Sequence, residues 1–89
     1  MTTPGEFQAG STIIGVTDTA AARTITLSSF DNKEGNVIIV KDESGGAATN
    51  NITVDTEGAE TIDGAASQVI NANYGVLRLY SNGTNWFIF

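Results

Sequence analysis

The stretch that decides the fold is residues 75–89, which read GVLRLYSNGTNWFIF. Two runs of β-prone residues flank the dipeptide Asn82-Gly83. Asn-Gly is a strong hairpin signal, because a two-residue type I′ turn needs positive φ at both central positions. The stretch therefore predicts a C-terminal hairpin. A two-residue turn pairs Ser81 with Thr84, Tyr80 with Asn85, Leu79 with Trp86, Arg78 with Phe87, Leu77 with Ile88 and Val76 with Phe89.

The two faces of this predicted hairpin differ in the surroundings that their side chains need. Alternation assigns to the core face Leu77, Leu79, Trp86 and Ile88. The second face should be polar if it met water, yet it is largely apolar. It carries Val76, Arg78, Tyr80, Asn85, Phe87 and Phe89. Either the rest of the chain covers this face, or another copy or a larger assembly does, because extended apolar patches are uncommon on free monomers.

Composition excludes several classes of chemistry. The 89-residue chain has no cysteine and no histidine, which removes disulfides, Cys/His zinc ligands and imidazole catalysis. Its formal net charge is −6, and its basic residues are Arg23, Lys33, Lys41 and Arg78. Scattered cations in an acidic chain argue against binding to nucleic acid or to anionic membranes. No apolar run reaches the length of a membrane span.

The chain is predicted to consist of an arm and one domain. Residues 1–10 contain Pro4, Gly5 and Gly10, with Phe7 as the apolar anchor. We interpret them as an extended arm, which either frays or docks onto a neighbour through Phe7. Residues 11–89 are predicted to form a single β domain. The first residues carry neither a basic start nor an apolar stretch, so the sequence indicates a complete chain without a secretory signal, made in the cytoplasm.

Propensity and turn signals indicate an all-β fold. Strong helix formers are sparse and β-branched residues are frequent. About eight short strands, with turn signals roughly every 6–12 residues, predict a small antiparallel sandwich, a jelly-roll-like domain or a barrel. The apolar run at residues 37–40 (VIIV) indicates a central strand buried on both faces. Residues 60–62 are predicted to form a short strand of their own.

Carboxylates and aromatic residues raise hypotheses about sites. The acidic residues that cluster in sequence are Asp42, Glu43, Asp55, Glu57, Glu60 and Asp63. Such clusters suit calcium or a glycosidase pair, but their spacing does not match an EF-hand loop, and Asp is common in turns for conformational reasons. We therefore predict no catalytic residue, no metal and no cofactor, and hence no enzyme.

A glycan-binding platform is a second hypothesis. It needs an exposed aromatic ring with amide acceptors nearby, such as Tyr74 or Tyr80 with Asn71, Asn73 or Asn85. Trp86 and Tyr80 fall on opposite faces of the predicted hairpin, which argues against one shared platform. Trp86 is predicted to belong to the core.

Several of these segments together resemble a known family. Residues 60–64 (ETIDG), Ile70-Asn71, residues 73–75 (NYG) and residues 79–88 (LYSNGTNWFI) resemble the C-terminal pattern of small β modules in virion proteins of tailed bacteriophages. These modules recur in tail fibres, spikes, head fibres and head decoration (cement) proteins. The resemblance extends over roughly residues 41–89. No catalytic residue comes with the pattern.

The resemblance implies a structural role and a partner. Proteins of this kind are commonly homotrimers, which supplies a cover for the second hairpin face. Because fibres are usually much longer chains, the short chain favours a capsid decoration protein that binds the major capsid protein on the outside of the virion. A tail-fibre or spike tip, or a glycan-binding adhesin, is the alternative. The interface residues, towards another subunit or the capsid, are predicted to be Val76, Arg78, Tyr80, Phe87, Phe89 and Phe7.

Overall fold

The computed structural model describes residues 11–89, so the predicted arm with Phe7 lies outside the described residues. One short 3-10 helix, Ser29–Asp31, accompanies the strands. The strands are β1 (Ser11–Val16), β2 (Arg23–Leu27), β3 (Val37–Asp42), β4 (Ile52–Thr56), β5 (Ser67–Ile70), β6 (Val76–Ser81) and β7 (Trp86–Ile88). The prediction of an all-β domain is confirmed, with seven strands in the described part instead of about eight. The predicted strand at residues 60–62 is reduced to isolated bridges from Ile62 to Ala65 and to Trp86.

The strands form two sheets, and the chain crosses repeatedly between them. One sheet has the order β1-β3-β6-β7 and the other the order β2-β4-β5. As a result β1 pairs with β3 and β2 pairs with β4 in parallel, and the remaining pairs are antiparallel. The purely antiparallel pairing that we predicted is therefore wrong for these two pairs. A parallel pair needs a long crossover, usually a helix; here a strand of the opposite sheet provides it.

The core lies between the two sheets and follows the alternation of each strand. In β6 the buried positions are Leu77, Leu79 and Ser81, and the intervening residues are exposed. Trp86 is fully buried, as predicted. The core cluster draws on both sheets and consists of Val16, Leu27, Ile38, Val40, Ala47, Ile52, Val54, Ile62, Ile70, Leu77, Leu79 and Trp86. Burial of each large aliphatic side chain contributes about 1.5–3 kcal/mol.

The hairpin forms, but its register differs from the predicted one by two residues. Tyr80 lies opposite Phe87, and Ser81 lies opposite Trp86. The loop is four residues long because Asn82 does not adopt positive φ; of the loop residues, Gly83 alone does, at 94°. The Asn82 side chain instead accepts the N–H groups of Thr84 and Asn85, both at 2.9 Å, and holds a wider turn. A shift of two residues keeps the strand side chains on their predicted faces, but Ile88, predicted for the core face, stays 38% exposed, and Asn85 lies in the loop.

The apolar run in β3 is buried on one face only. Ile38 and Val40 are buried, whereas Val37 and Ile39 are half-buried. The prediction of burial on both faces is therefore wrong. The second face of β3 continues the second face of the hairpin, because Ile39 lies opposite Arg78 and Val37 lies opposite Tyr80.

Candidate interaction surface

One side of the four-stranded sheet faces away from the core, and we call it the outer sheet face. The pairing register lines up the outward positions of all four strands. They are Ser11, Ile13 and Gly15 on β1, Val37, Ile39 and Lys41 on β3, Val76, Arg78 and Tyr80 on β6, and Phe87 and Phe89 at β7. Ile13 is 69% exposed, Phe89 is 52% exposed and Val76 is 50% exposed. Val37, Ile39, Lys41 and Phe87 are half-buried, and the other outward residues of this face stay exposed within the described part of the chain.

An aromatic cluster occupies one half of this face. The Tyr80 ring lies 5.6 Å from the Phe87 ring and 5.9 Å from the Phe89 ring, measured between centroids. The Arg78 guanidinium carbon lies 5.3 Å from the centroid of the Phe89 ring, and Nε of Arg78 donates to the Phe89 carbonyl at 3.1 Å. These contacts place the guanidinium beside the Phe89 ring. Tyr, Trp and Arg are the residues that most often dominate the binding energy of interfaces.

The sequence located part of this face and missed the rest. The structure brings together five predicted interface residues, Val76, Arg78, Tyr80, Phe87 and Phe89. It adds Ile13, Val37, Ile39 and Lys41, which the sequence did not single out. Their place depends on β1 and β3 lying beside β6, a pairing between distant segments that local periodicity does not signal. An interface role for all of them stays a prediction.

Charge on the outer sheet face contrasts with the acidity of the chain. Two of the four basic residues, Lys41 and Arg78, lie on it. The face also carries one carboxylate, that of Glu43, because a Cβ at the outward position Gly15 would collide with it. Arg23 pairs with Asp18 at 3.1 Å, whereas no side-chain carboxylate among residues 11–89 lies within ion-pair distance of Arg78, which donates to the main-chain oxygen of Phe89. The face is thus largely apolar with more basic than acidic groups, and within residues 11–89 Arg78 lacks an acidic side chain as a partner.

The two edges of the four-stranded sheet are protected differently. Residues 61–63 close the β7 edge: Trp86 donates to the Thr61 carbonyl, Asp63 donates to the Trp86 carbonyl, and Ile88 donates to Oδ1 of Asp63, at 2.9, 3.0 and 3.1 Å. In the described part of the chain, β1 has β3 as its sole strand neighbour. β1 reads STIIGV, without charge or proline. Edge strands of this composition pair readily with other chains.

Asp42 is the most deeply engaged carboxylate. It ends β3 and is fully buried. Its Oδ1 accepts the N–H groups of Ser44 and Gly45 at 3.0 Å and the Ser44 hydroxyl at 2.8 Å. Its Oδ2 accepts the N–H groups of Ala47 and Tyr74, both at 3.0 Å. The group ties together loops that are distant in sequence.

The chemistry of Asp42 is structural. Burial raises the pKa of its carboxyl. The hydrogen bonds from Ser44, Tyr74, Ala47 and Gly45 lower that pKa by a larger amount, so that it lies well below its usual range. The carboxylate stays ionised and its oxygens are occupied. Residues 11–89 contain no group of three or more acidic side chains that is arranged to hold a metal ion.

Tyr74 has a strained backbone conformation next to the buried Asp42 carboxylate. Its φ is 59°, a value that bulky residues rarely adopt. The Asp42 carboxylate accepts its N–H, and Nζ of Lys41 donates to its carbonyl. The ring is 60% exposed and lies close over Gly45. Strain of this kind is often found at functional positions.

The two alternative glycan platforms, around Tyr74 and around Tyr80, lie apart, and glycan binding stays a prediction. Tyr74 precedes β6 and Tyr80 lies near the end of that strand, so the two rings belong to different regions. Oδ1 of Asn73 accepts the N–H of Ala48, and Oδ1 of Asn85 accepts the N–H of Thr61, at 2.9 and 3.0 Å. Both side-chain oxygens are therefore acceptors in hydrogen bonds that stabilise loops.

Alanine at Gly45 should displace the Tyr74 ring, whereas alanine at Gly64 should not. Both glycines have positive φ, 83° and 84°, so each substitution is expected to cost about 1–2 kcal/mol of stability. A Cβ at Gly45 would lie 2.5 Å from the Tyr74 ring, whereas a Cβ at Gly64 meets nothing within 4 Å. NMR of the Tyr74 ring resonances measures the displacement. Unchanged resonances in Gly45→Ala would contradict this contact.

Comparison with known protein families and with curated proteins gives no match for this chain. Among residues 11–89, no helix has the length and hydropathy needed to cross a membrane. The class that the fold defines is therefore an all-β, sandwich-like domain with one largely apolar sheet face that carries more basic than acidic groups.

Proposed function

We propose that this chain is a structural protein of a tailed-bacteriophage virion, which assembles as a homotrimer and decorates the capsid. The observation that carries the proposal is the outer sheet face, whose apolar area and aromatic cluster lack a cover within residues 11–89. The resemblance of residues 60–64 and 79–88 to phage virion modules supports the class of assembly. Under this proposal the outer sheet face packs against another subunit.

The physical advantage of such an assembly is multivalency. Each subunit makes modest contacts, and a trimer places three attachment sites on adjoining copies of the major capsid protein at once. The protein would be made in the host cytoplasm and would reside on the outer capsid surface. Attachment to the capsid is assigned to the arm around Phe7, and trimer formation to the outer sheet face.

A tail-fibre or spike tip that binds glycan is the second candidate. The observation that favours it is Tyr74, whose exposed ring is held by a strained backbone next to Gly45. Aromatic rings presented in this way can stack on sugars. This candidate predicts binding to cells or isolated glycans that Tyr74→Ala abolishes without changing the oligomeric state.

The test is the solution mass by light scattering, followed by co-sedimentation with capsids that lack this protein. A trimer that pellets with capsids supports the decoration role. A trimer that ignores capsids and binds cells moves the function to the fibre tip. A stable monomer contradicts the assembly on which both roles depend.

Removal of residues 1–10 should weaken capsid attachment more than trimer formation. The reason is that the outer sheet face lies entirely within residues 11–89, whereas Phe7 belongs to the removed arm. Light scattering measures the trimer and the fraction pelleted with capsids measures attachment. Phe7→Ala in the full chain is the matched variant. A truncated trimer that pellets as well as the full chain would refute the role of the arm.

A further inference from the structure

A second distinctive surface lies at one end of the molecule, and we call it the acidic end. Three loops meet there, following β2, β4 and β6. Asn32 Nδ2 donates to the Thr84 carbonyl, and Thr61 donates to Oδ1 of Asn85, which joins the three loops. The loops border an open depression of about 430 Å³. The carboxylates of this end are Asp31, Glu34, Glu57, Glu60 and Asp63, with Lys33 as its basic residue.

Two of these carboxylates are not used by the fold. Glu57 accepts the N–H of Ser29 at 2.8 Å, and Glu60 accepts the N–H of Gly58 at 3.0 Å. The carboxylates of Asp31 and Glu34, by contrast, take part in no hydrogen bond or ion pair within the described part of the chain. They are available to a partner.

The acidic end also presents an aromatic ring. Phe30 is 77% exposed, and the Lys33 ammonium lies 5.0 Å from the centroid of its ring. The end therefore combines an exposed aromatic side chain with two free carboxylates. The outer sheet face presents the complement, namely exposed aromatic rings around Arg78, a cation that pairs with no acidic side chain among residues 11–89.

We infer that the outer sheet face of one copy binds the acidic end of a second copy. Arg78 receives a carboxylate from Asp31 or Glu34, and Phe30 packs on the rings of Tyr80 and Phe89. This inference rests on the proposed self-assembly and names its interface. Contact between two identical outer sheet faces would offer each Arg78 only the Glu43 carboxylate, whereas the acidic end supplies two.

The geometry of this contact favours a small closed ring. The acidic end lies at one end of the strands. The outer sheet face, by contrast, points in a direction perpendicular to the strands. Docking an end onto a face therefore turns each copy by about a right angle or somewhat more relative to the last. A head-to-tail contact forms a ring where its rotation closes, and three copies close when that rotation is about 120°. A trimer is a ring of this kind.

Charge reversal on the full chain tests the inference. One variant is Arg78→Glu. The other combines Asp31→Lys with Glu34→Lys. We expect each variant alone to weaken self-association roughly 30-fold or more, because like charges then meet in the contact. A single variant that carries all three changes, Arg78→Glu with Asp31→Lys and Glu34→Lys, should recover the mass of the unmodified assembly, since every contact of a closed trimer then joins opposite charges. Asp55→Lys, a charge reversal on the other sheet, is the control and should associate normally.

The readouts are mass by light scattering, circular dichroism for folding, and the dependence of the mass on salt. Recovery of the assembly in the triple variant supports the head-to-tail contact, and so does weakening between about 50 and 500 mM salt, over which the Debye length falls roughly threefold. A folded triple variant that does not assemble would overturn it. So would an Asp31→Lys, Glu34→Lys protein that assembles normally while Arg78→Glu does not. An assembled protein that fails to bind capsids overturns the decoration role and leaves this inference standing.

Discussion

Replacing Asp42 with asparagine lowers the melting temperature by more than about 10 °C, the largest effect that we expect from a single conservative substitution. The buried carboxylate accepts four backbone N–H groups and one hydroxyl. An asparagine offers one acceptor oxygen and turns an NH₂ group towards donors. At least one buried N–H group, from Ala47 and Tyr74 or from Ser44 and Gly45, then lacks a partner.

The Asp42 carboxylate also makes the free energy of unfolding depend on pH. Because the pKa of Asp42 is lower in the folded protein than in the unfolded chain, its contribution to stability is fully present above the unfolded pKa of about 3.9. That contribution is lost as the pH falls below this value towards the folded pKa. The free energy of unfolding should therefore decrease below about pH 4. In Asp42→Asn the decrease should be shallower, and the part that remains comes from Asp18 and Glu60.

The physical causes at those two residues differ. The N–H of Ala20 and the Arg23 side chain lower the pKa of Asp18, and the Ser29 hydroxyl with backbone donors lowers the pKa of Glu60. Thermal unfolding followed by circular dichroism measures how Asp42, Asp18 and Glu60 contribute to stability. The measurements run from pH 7 to pH 2, a span of about 5 pH units that includes the carboxylate range. The control is Asp55→Asn, because that half-buried side chain accepts only the N–H of Thr56. If Asp42→Asn and the Asp55→Asn control have the same melting temperature, the stabilising role of the hydrogen bonds to Asp42 is refuted.

Phe87→Asp converts the assembled protein into a folded monomer. Phe87 lies on the outer sheet face, where its ring contacts Tyr80 and not the core. We expect the monomer to lose about 1–2 kcal/mol of stability, because the ring is half-buried. Across an interface, however, an unpaired carboxylate among aromatic rings is strongly unfavourable. Light scattering measures the mass, and circular dichroism checks the fold.

The matched control is Val69→Asp, which places the same charge on an exposed strand position of the other sheet. That variant should keep the assembled mass. A stable trimer of Phe87→Asp would show that the outer sheet face is not the subunit interface. Equal loss of assembly in both variants would point to net charge instead of position.

Local sequence determined those features that depend on neighbouring residues. Alternation in Val76–Ser81 assigned each side chain to its face, and the burial of Trp86 followed from the same pattern. Because a register shift of two residues preserves faces, this assignment survived the wrong turn type. Asn82-Gly83 predicted where the chain reverses. It did not decide the loop length, because the Asn82 side chain forms hydrogen bonds that a two-residue turn lacks.

Only the tertiary structure decided which strands lie side by side. Parallel pairing of β1 with β3 joins segments separated by a strand of the other sheet, and no local signal encodes that choice. This pairing extends the outer sheet face to Ile13 and Ile39. The hydrogen bonds to Asp42 likewise come from loops that only the folded chain brings together. Periodicity depends on the nearest residues of one strand, whereas register between strands depends on how the two sheets close over a common core.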